Sequence, residues 1–221
     1  DPTITALAAD LDHDPVRIYE FVRNEVDFEP TYGSIKGAVG TLAAMSGNAF
    51  DQASLLIALL RASGIPARYQ VGTIEISPEQ AANWVGVANP RSASTLLSSG
   101  GIPAVAVTDA GTGELRHVEV EHTWVLAYVD YTPSRGAVLQ EGDRWIPIDP
   151  AFKQYETLPG YDFDAQLMPG AENLRDQIQA SAITNPYGVT ALDTGLIQTS
   201  VDDATAVLRD HVANNPPDVM A

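Results

Sequence analysis

Cysteine is absent from this chain of 221 residues, and the absence excludes two kinds of chemistry. Without cysteine the chain forms no disulfides, so the sequence gives no indication of the redox compartment in which it folds. It also supplies no thiol that could act as a nucleophile or bind zinc. Any enzyme mechanism that depends on a thiolate therefore needs a residue that this sequence lacks.

Positive charge and long apolar runs are scarce as well. No apolar run approaches the ~20 residues that a membrane-spanning helix requires, so we expect no membrane insertion. Lys and Arg number 12 against 29 Asp and Glu, which gives a formal net charge of −17. So acidic a chain is a poor match for nucleic acid or for an anionic membrane surface. A hydrophobic content of 45% is still ample for a folded core.

Motifs for metals and nucleotides are also missing. The sequence contains no His-Glu-x-x-His zinc motif, no glycine-rich phosphate loop after a strand and no EF-hand loop. His117 and His122 lie five residues apart on a predicted strand, where odd and even positions face opposite sides. They should not share a metal ion. We therefore expect neither a metal nor a cofactor.

The segment GNAFDQASLLIALLRASGIPARYQVG, residues 47–72, predicts a helix that leads into a strand. Apolar residues occur on nearly every side of the helix between Phe50 and Ser63, so it should be buried. Asn48 suits the start of the helix, Gly64 suits its end, and Pro66 prevents it from resuming. Taken alone, this pattern is typical of a helix that only supports a core.

Three segments in this order together resemble the transglutaminase-like superfamily, which has a papain-like fold. The segment at 47–72 resembles its signature helix. EHTWVLAYV, residues 121–129, resembles its histidine strand, and RWIPIDPAF, residues 144–152, resembles its aspartate strand. VRIYEFVRNEVDFEPTYG, residues 16–33, is similar to the helix and loop that precede the signature helix. The resemblance implies an α+β fold in which a central buried helix packs on an antiparallel sheet.

The same resemblance implies a triad of a nucleophile, His122 and Asp149. In the family a cysteine lies two residues before the aspartate that matches Asp51, and here that position is Ala49. A thiolate there would be favoured by the start of the helix, the histidine would move the proton, and the aspartate would orient the histidine. An alanine methyl group cannot attack a carbonyl carbon. As written, the chain should therefore be inactive in the family's acyl-transfer chemistry.

Three nearby polar side chains are poor replacements for the nucleophile. Ser46 lies before the predicted helix, and Ser54 lies inside it, where its hydroxyl is expected to bond a backbone carbonyl. Asp51 is expected to stabilise the first helical turn. Considered apart from the resemblance, His122 could be a satisfied core histidine, and Asp149 could be an ordinary Asp-Pro turn residue.

Other side chains near the implied site have structural interpretations. We expect Arg68 to form a salt bridge with a buried carboxylate. Trp124 and Trp145 are expected in the core or in the wall of a cleft.

Ala49 has two explanations that lead to different functions. A natural loss would give a pseudoenzyme, a non-catalytic module of a larger bacterial protein that binds a peptide or protein segment in its cleft or acts as a scaffold. Asn48 and Phe50 favour this explanation, because the family usually has small or acidic residues beside its cysteine. An engineered change would mean an inactivated cysteine peptidase or acyltransferase. A third, purely structural hypothesis is a spacer with a closed cleft.

Two regions are expected along the chain. Residues 1–155 should form the transglutaminase-like core, with an insertion at about 77–102 that borders or covers the cleft. Residues 156–221 should form a helical and loop extension that packs on the core or leads to another module. Because the sequence lacks an initiator methionine, we expect a part of a longer multidomain protein, secreted, periplasmic or on the surface of a bacterium.

Individual elements follow from periodicity and from turn residues. Helices are predicted at 3–11, 15–26, 41–45, 50–63, 77–84, 92–97, 173–181 and 201–212, the last capped by Ser200. Strands are predicted at 65–72, 104–107, 115–130 and 144–148, with a loop at 132–142 and a fraying tail at 214–221.

Overall fold

The computed structural model describes residues 1–131, 142–156 and 171–214. Contacts within the chain divide it into two compact units, Asp1–Glu156 and Thr157–Ala221. The predicted loop at 132–142 lies outside the described residues except for Gly142, and the predicted tail at 214–221 does so except for Asn214.

The first unit alternates helices with short and long strands. Its helices are α1 (Pro2–Asp10), α2 (Pro15–Glu25), α3 (Gly37–Ala44), α4 (Ala49–Ala62), α5 (Pro78–Val85) and α6 (Pro90–Ser99). Its strands are β1 (Asp27–Phe28), β2 (Ser46–Gly47), β3 (Ala67–Ile76), β4 (Ala104–Thr108), β5 (Leu115–Val129) and β6 (Arg144–Ile148).

Capping residues fix where several of these helices begin. The Asp14 carboxylate accepts hydrogen bonds from the first-turn N–H groups of α2, directly before a proline at the first helical position. Ser77 and Gln80 form a reciprocal capping box at the start of α5. Such caps satisfy N–H groups that have no partner inside the helix. The starts of α2 and α5 were therefore readable from single residues.

A four-stranded antiparallel sheet is built around β5. Strand β3 pairs along one edge of β5, with Gly72 opposite His122. On the other edge β4 pairs with the first half of β5 and β6 with the second half, where Val125 lies opposite Ile148. The predicted α+β fold with an antiparallel sheet is thereby confirmed.

Two separate apolar clusters pack against this sheet. The α4 cluster joins helices α1, α2 and α4 to the second half of β5 and contains Leu55, Leu56, Leu59, Leu60, Val125 and Ala127. The Trp84 cluster joins α5 and α6 to the first half of β5 and contains Trp84, Ala93, Leu97, Ile102, Val118 and Val120.

Strand β5 changes its buried face at its middle. Val118 and Val120 are buried on one face, whereas Val125 and Ala127 are buried on the opposite face. The change falls at His122 and Thr123, which are both buried. The middle of β5 is therefore covered on both sides.

Some elements of the first unit differ from the sequence prediction. Strand β3 continues to Ile76 rather than ending at Gly72, because its pairing with β5 continues to that residue. Helix α3 begins at Gly37 rather than at Thr41. The two-residue strands β1 and β2 form a parallel pair that was not predicted, since strands so short carry no periodicity.

The second unit contains α7 (Ala171–Ser181), the hairpin strands β7 (Ile183–Asn185) and β8 (Gly188–Ala191), and α8 (Thr194–Asn214). The prediction that Ser200 caps the last helix is wrong. The helix begins at Thr194, and the Asp193 carboxylate accepts a hydrogen bond from the N–H of Gly195 at 2.9 Å. None of the helices in the described ranges is long and apolar enough to cross a membrane.

Candidate active site

His122 and Asp149 form a hydrogen-bonded pair on neighbouring strands of the sheet. The distance between His122 Nε2 and Asp149 Oδ2 is 2.8 Å. His122 lies in the middle of β5 and is 2% exposed. Asp149 directly follows β6, and the pairing of β6 with β5 brings the carboxylate to the imidazole. The carboxylate is thus placed to fix the ring's orientation and tautomer.

The turn that carries Asp149 is held from several sides. Its second carboxylate oxygen accepts the N–H groups of Ala151 and Phe152 at 3.0 and 3.1 Å. From α2, the Tyr19 hydroxyl and the Arg23 guanidinium each donate to the Asp149 carbonyl oxygen at 3.3 Å. These bonds leave one carboxylate oxygen directed to His122.

Aromatic rings surround the imidazole. The Trp84 ring meets His122 edge to face at 5.4 Å between centroids, and the Trp124 ring lies nearly parallel to it at 6.4 Å. The Trp84 indole N–H donates to the Ala151 carbonyl oxygen at 2.8 Å, close after the Asp149 turn. Trp84 therefore contacts the histidine and braces the backbone that presents the aspartate.

The expected salt bridge of Arg68 is absent from the ion pairs of the described residues. Its guanidinium lies instead over the Trp145 ring, 4.5 Å from the centroid. In the part of the chain that the structure describes, the cation thus lies against an exposed indole face on the neighbouring part of the sheet, which attracts it in place of a carboxylate.

Ala49 is the first residue of α4. Before it, Asn48 caps the helix, and its side-chain oxygen accepts the Asp51 N–H at 3.0 Å. The Asn48 amide group donates to the Gly33 carbonyl oxygen at 2.7 Å and to the Thr31 hydroxyl at 3.2 Å. The start of α4 is therefore tied to the loop that precedes α3.

Asp51 does more than stabilise the first turn of α4. It is 1% exposed, and its Oδ1 accepts three backbone N–H groups, from Ile35, Lys36 and Gly37, at 2.8–3.0 Å. Its Oδ2 is buried with no partner among the described residues. This carboxylate fixes the path of the loop at the start of α3.

The two serines considered as replacement nucleophiles are engaged elsewhere. The Ser54 hydroxyl donates to the Phe50 carbonyl oxygen at 2.6 Å, as predicted for a serine inside the helix. The Ser46 hydroxyl donates to Glu29 at 2.7 Å and lies 3.0 Å from the Lys36 ammonium. The hydrogen bonds from Lys36 and then from Ser46 lower the pKa of Glu29.

Ala49 and His122 line the same pocket. Its empty space, including the open mouth, is about 230 Å³. The other lining residues are Phe28, Thr31, Tyr32, Phe50, Trp84, Ile102, Glu121 and Thr123. Trp84 and Ile102 come from the segment that the sequence indicated as a border of the cleft. The enclosed cavity volume of the pocket is only about 10 Å³, against the ~300–1,000 Å³ of ordinary small-molecule sites, so it has room for about one water molecule and a ligand side chain can enter only if the lining rings move.

Lys153 is an unexpected buried cation near this site. It is 5% exposed, and its ammonium donates to the Val26 carbonyl oxygen. Burial lowers the pKa of Lys153 to about 8, and the nearby Asp27 carboxylate partly opposes this effect. The lysine links the segment after Asp149 to the end of α2.

Metal binding is not indicated by the described ranges. Within 1–131, 142–156 and 171–214, no three histidine, aspartate or glutamate side chains are grouped so that they could hold an ion. His117 lies near Glu75 and Glu119, at 3.6 and 3.7 Å, and is apart from the pair at His122. The expectation that the chain needs no cofactor remains a prediction.

Several residues of the site were not found from the sequence. Trp84 lay in a predicted helix with no sign that it would meet a histidine of a distant strand. For Asn48 and Asp51 the sequence indicated only that they lie at the start of a helix. It did not indicate their contacts with the loop before α3. Lys153 follows Asp149 closely, in a segment without periodicity. Tertiary contacts, rather than local pattern, create these roles.

Comparison with known proteins gives one match. The family model described as the transglutaminase-like superfamily matches residues 2–150. Searches of curated proteins and of solved structures found no significant match. The match covers more than half of the chain and includes the helix, both strands and the His122–Asp149 pair. The chain therefore belongs to the transglutaminase-like superfamily.

Proposed function

We propose that this chain is a transglutaminase-like domain without its catalytic nucleophile, which binds a segment of a peptide or protein in its pocket. One observation carries the proposal. Ala49 is the first residue of α4 and lines a pocket together with His122, which Asp149 orients at 2.8 Å. The pocket has an acid–base pair but no group at Ala49 that can attack a carbonyl.

Physical chemistry supports binding without turnover. In this family's chemistry the thiolate forms a covalent acyl intermediate, and the histidine only moves protons. With a methyl group at residue 49, the pair can polarise or hydrogen-bond a ligand but cannot form that intermediate. The proposal also includes that the domain is part of a larger, multidomain bacterial protein.

A second candidate is a cysteine peptidase or acyltransferase in which cysteine has been changed to Ala49. The intact contact between His122 and Asp149 favours it, because a site without chemical function has no need to retain an oriented imidazole. In such an enzyme the thiolate attacks an amide carbonyl, His122 acts as base and then as acid, and the backbone N–H of residue 49 donates to the oxyanion. The codon for residue 49 in the source gene separates the two candidates.

A peptide-binding assay tests the first proposal. A panel of short blocked peptides is titrated while tryptophan fluorescence is followed, since Trp84 lines the pocket. We expect saturable binding by some peptides and no hydrolysis or transfer with any of them. The substitution Ala49→Phe should abolish binding, because the added ring fills the pocket.

The matched control is Ala43→Phe, at an exposed alanine of α3 outside the pocket. It adds the same ring at another helical alanine and should leave binding unchanged. The proposal is wrong if no peptide binds, or if the two substitutions weaken binding equally. If the domain is instead a spacer with a closed cleft, no peptide should bind.

A further inference from the structure

Strand β3 forms an outer edge of the four-stranded sheet. Among the described residues it pairs only with β5, in a continuous antiparallel register over Ala67–Ile76. The backbone N–H of Tyr128 donates to the Pro66 carbonyl oxygen at 2.8 Å, directly before this register begins. Even-numbered residues of β3 therefore exchange hydrogen bonds with β5, and odd-numbered residues direct their N–H and C=O groups away from the sheet.

The outward backbone groups of β3 are open along most of the strand. At its start, the Arg61 guanidinium of α4 donates to the Ala67 carbonyl oxygen at 2.8 and 3.1 Å, as expected for an outward position. Within the described ranges, the next four outward N–H groups have no hydrogen-bond partner, and of the matching carbonyls only that of Val71 has a contact, at 3.4 Å from the Gln70 amide. These four exposed residues, the β3 edge, are Tyr69, Val71, Thr73 and Glu75.

The opposite side of the sheet is protected from further strand pairing. Strand β4 has only five residues, and its register is irregular between Val107 and Thr108. Strand β6 carries Pro147 opposite Leu126, at a position where the missing N–H lies on the outer edge. Short strands, irregularities and prolines are the usual features that keep an edge from recruiting another strand. Strand β3 has ten residues and none of these features, so its edge is the open one.

We propose that the β3 edge pairs antiparallel with the β3 edge of a second copy of this chain. The two sheets then become one continuous sheet across a two-fold axis at Gly72. Tyr69 lies opposite Glu75 of the second copy, and Val71 lies opposite Thr73 of the second copy. The outward N–H and C=O groups of the two strands satisfy one another, and the symmetry makes every contact occur twice.

Charge complementarity favours a second copy as the partner. The exposed Arg61 lies at the start of the outer edge, and Glu75 lies at the other end with a side chain that is 67% exposed. Glu75 shares a face of the sheet with Tyr69, whose hydroxyl contacts Ser54 of α4 at 3.0 Å, so both charges lie on the α4 side. Antiparallel pairing therefore brings Arg61 of each copy near Glu75 of the other.

The register centred on Gly72 also avoids the outward carbonyl that is already engaged. Ala67 falls opposite Ser77 of the second copy, which lies after the end of β3, so its carbonyl oxygen keeps the contact with Arg61. The paired tyrosine, valine and threonine are residue types that favour strands. A strand that pairs with itself in this way needs no other protein as its partner.

The test measures the mass of the full chain against its concentration by analytical ultracentrifugation. We expect a reversible change from one copy to two as the concentration rises. The buffer contains about 0.15 M salt, which screens the net charge of −17 on each copy beyond about 8 Å. Amide exchange followed by NMR then locates the contact, since the N–H groups of the β3 edge should become protected together with dimer formation.

A proline in the β3 edge tests whether its backbone makes the contact. Val71→Pro removes an outward N–H and leaves the hydrogen bonds to β5 in place, so the chain should fold and its dimer should weaken at least about tenfold, because two hydrogen bonds are lost. Val71→Thr is the matched control, since it keeps the N–H and the branched shape, and it should dimerise like the parent. Circular dichroism and thermal melting verify that both variants are folded.

A charge exchange tests the antiparallel direction without altering the strand's backbone. Glu75→Arg places a like charge near Arg61 of the second copy and should weaken the dimer about threefold or more, since two exposed ion pairs are lost. Adding Arg61→Glu in the same chain restores opposite charges and should recover most of the lost affinity.

Three outcomes overturn the inference, and none of them bears on the pocket beside Ala49. The chain could remain a single copy even at about 1 mM, a concentration at which only very weak association escapes detection. A dimer that survives Val71→Pro in the folded variant would form through another surface. A dimer whose affinity Glu75→Arg leaves unchanged would not have the antiparallel register about Gly72.

Discussion

The α4 cluster and the Trp84 cluster pack against opposite faces of the same strand, β5. The α4 cluster buries Val125 and Ala127 from one face of β5, and the Trp84 cluster buries Val118 and Val120 from the other. The first is almost wholly aliphatic, whereas the second contains an indole. The candidate site lies where one cluster gives way to the other.

This difference explains why the site forms at that point. The α4 cluster fixes the helix that presents Ala49, and the Trp84 cluster supplies the ring that contacts His122. The histidine is covered on both sides because the buried face of β5 changes there. A residue between the α4 cluster and the Trp84 cluster is held rigidly and still lines the pocket that lies there. This suits a site that must be preorganised.

The largest expected effects come from breaking either cluster. Leu59 and Leu97 are both fully buried, the first in the α4 cluster and the second in the Trp84 cluster. Leu→Ala at either position should lower the free energy of unfolding by about 2–5 kcal/mol, measured by urea denaturation. If the clusters are independent, the double variant should show the sum of the two losses within about 0.5 kcal/mol. A large deviation from that sum would mean that they form one packing unit.

A smaller loss is expected at the joint between α4 and the loop before α3. Asp51→Ala removes the acceptor for three backbone N–H groups and should cost about 2–4 kcal/mol, since buried donors without partners are expensive. Asp51→Asn is the matched control, because its carbonyl oxygen can replace Oδ1, and it should cost clearly less. Equal losses in the two variants would show that the N–H contacts contribute little. Chemical denaturation measures both.

Lys153 gives a pH-dependent effect of similar or smaller size. Its folded pKa is about 8, and an unfolded lysine titrates near ~10.4. Between those values the unfolded chain binds more protons, so the free energy of unfolding should rise with pH by about 1–3 kcal/mol. Below pH 8 both states are protonated, and the cost of burying the charge is fully present.

The substitution Lys153→Met removes this charge and keeps most of the length of the side chain. The variant should show a flatter pH dependence than the parent between about pH 8 and ~10.4, the window between the folded and unfolded pKa values of the lysine. Denaturation at a series of pH values measures the slope. Identical slopes in the two proteins would show that the lysine is hydrated and that its pKa is ordinary.

The sequence predicted the fold through elements with strong local signals. Helix α4 was readable from its apolar residues, with Asn48 before it and Gly64 after it. The segments containing His122 and Asp149 were recognisable as strands, and their order resembled that of a known superfamily. The pairing of β6 with β5 then accounts for the contact between these two side chains, which no local pattern could supply.

Other features depended on contacts that local pattern does not carry. Nothing in the sequence indicated that Asp51 would bind the backbone of residues 35–37. Every residue except proline carries a backbone N–H group, so the residue types do not show which of these groups a carboxylate will bind. Helix α8 was predicted to begin at Val201, because Ser200 resembles a cap, but the earlier Asp193 supplies one. The hairpin at 183–191 was not predicted, although the run Asn185-Pro-Tyr-Gly188 that joins its strands is of a kind that favours a turn.

The most direct measurement uses Ala49→Cys and follows the rate of thiol alkylation against pH. If the site lacks only its nucleophile, the new thiol should react rapidly at mildly acidic pH, and His122→Ala in the same chain should abolish this behaviour. Ala43→Cys on the exposed face of α3 supplies an ordinary thiol, with a pKa near ~8.5, for comparison. If the thiol introduced at residue 49 reacts no faster than the one introduced at residue 43, the start of α4 and the His122–Asp149 pair do not form a working thiol site, and the claim of an intact site without its nucleophile is contradicted.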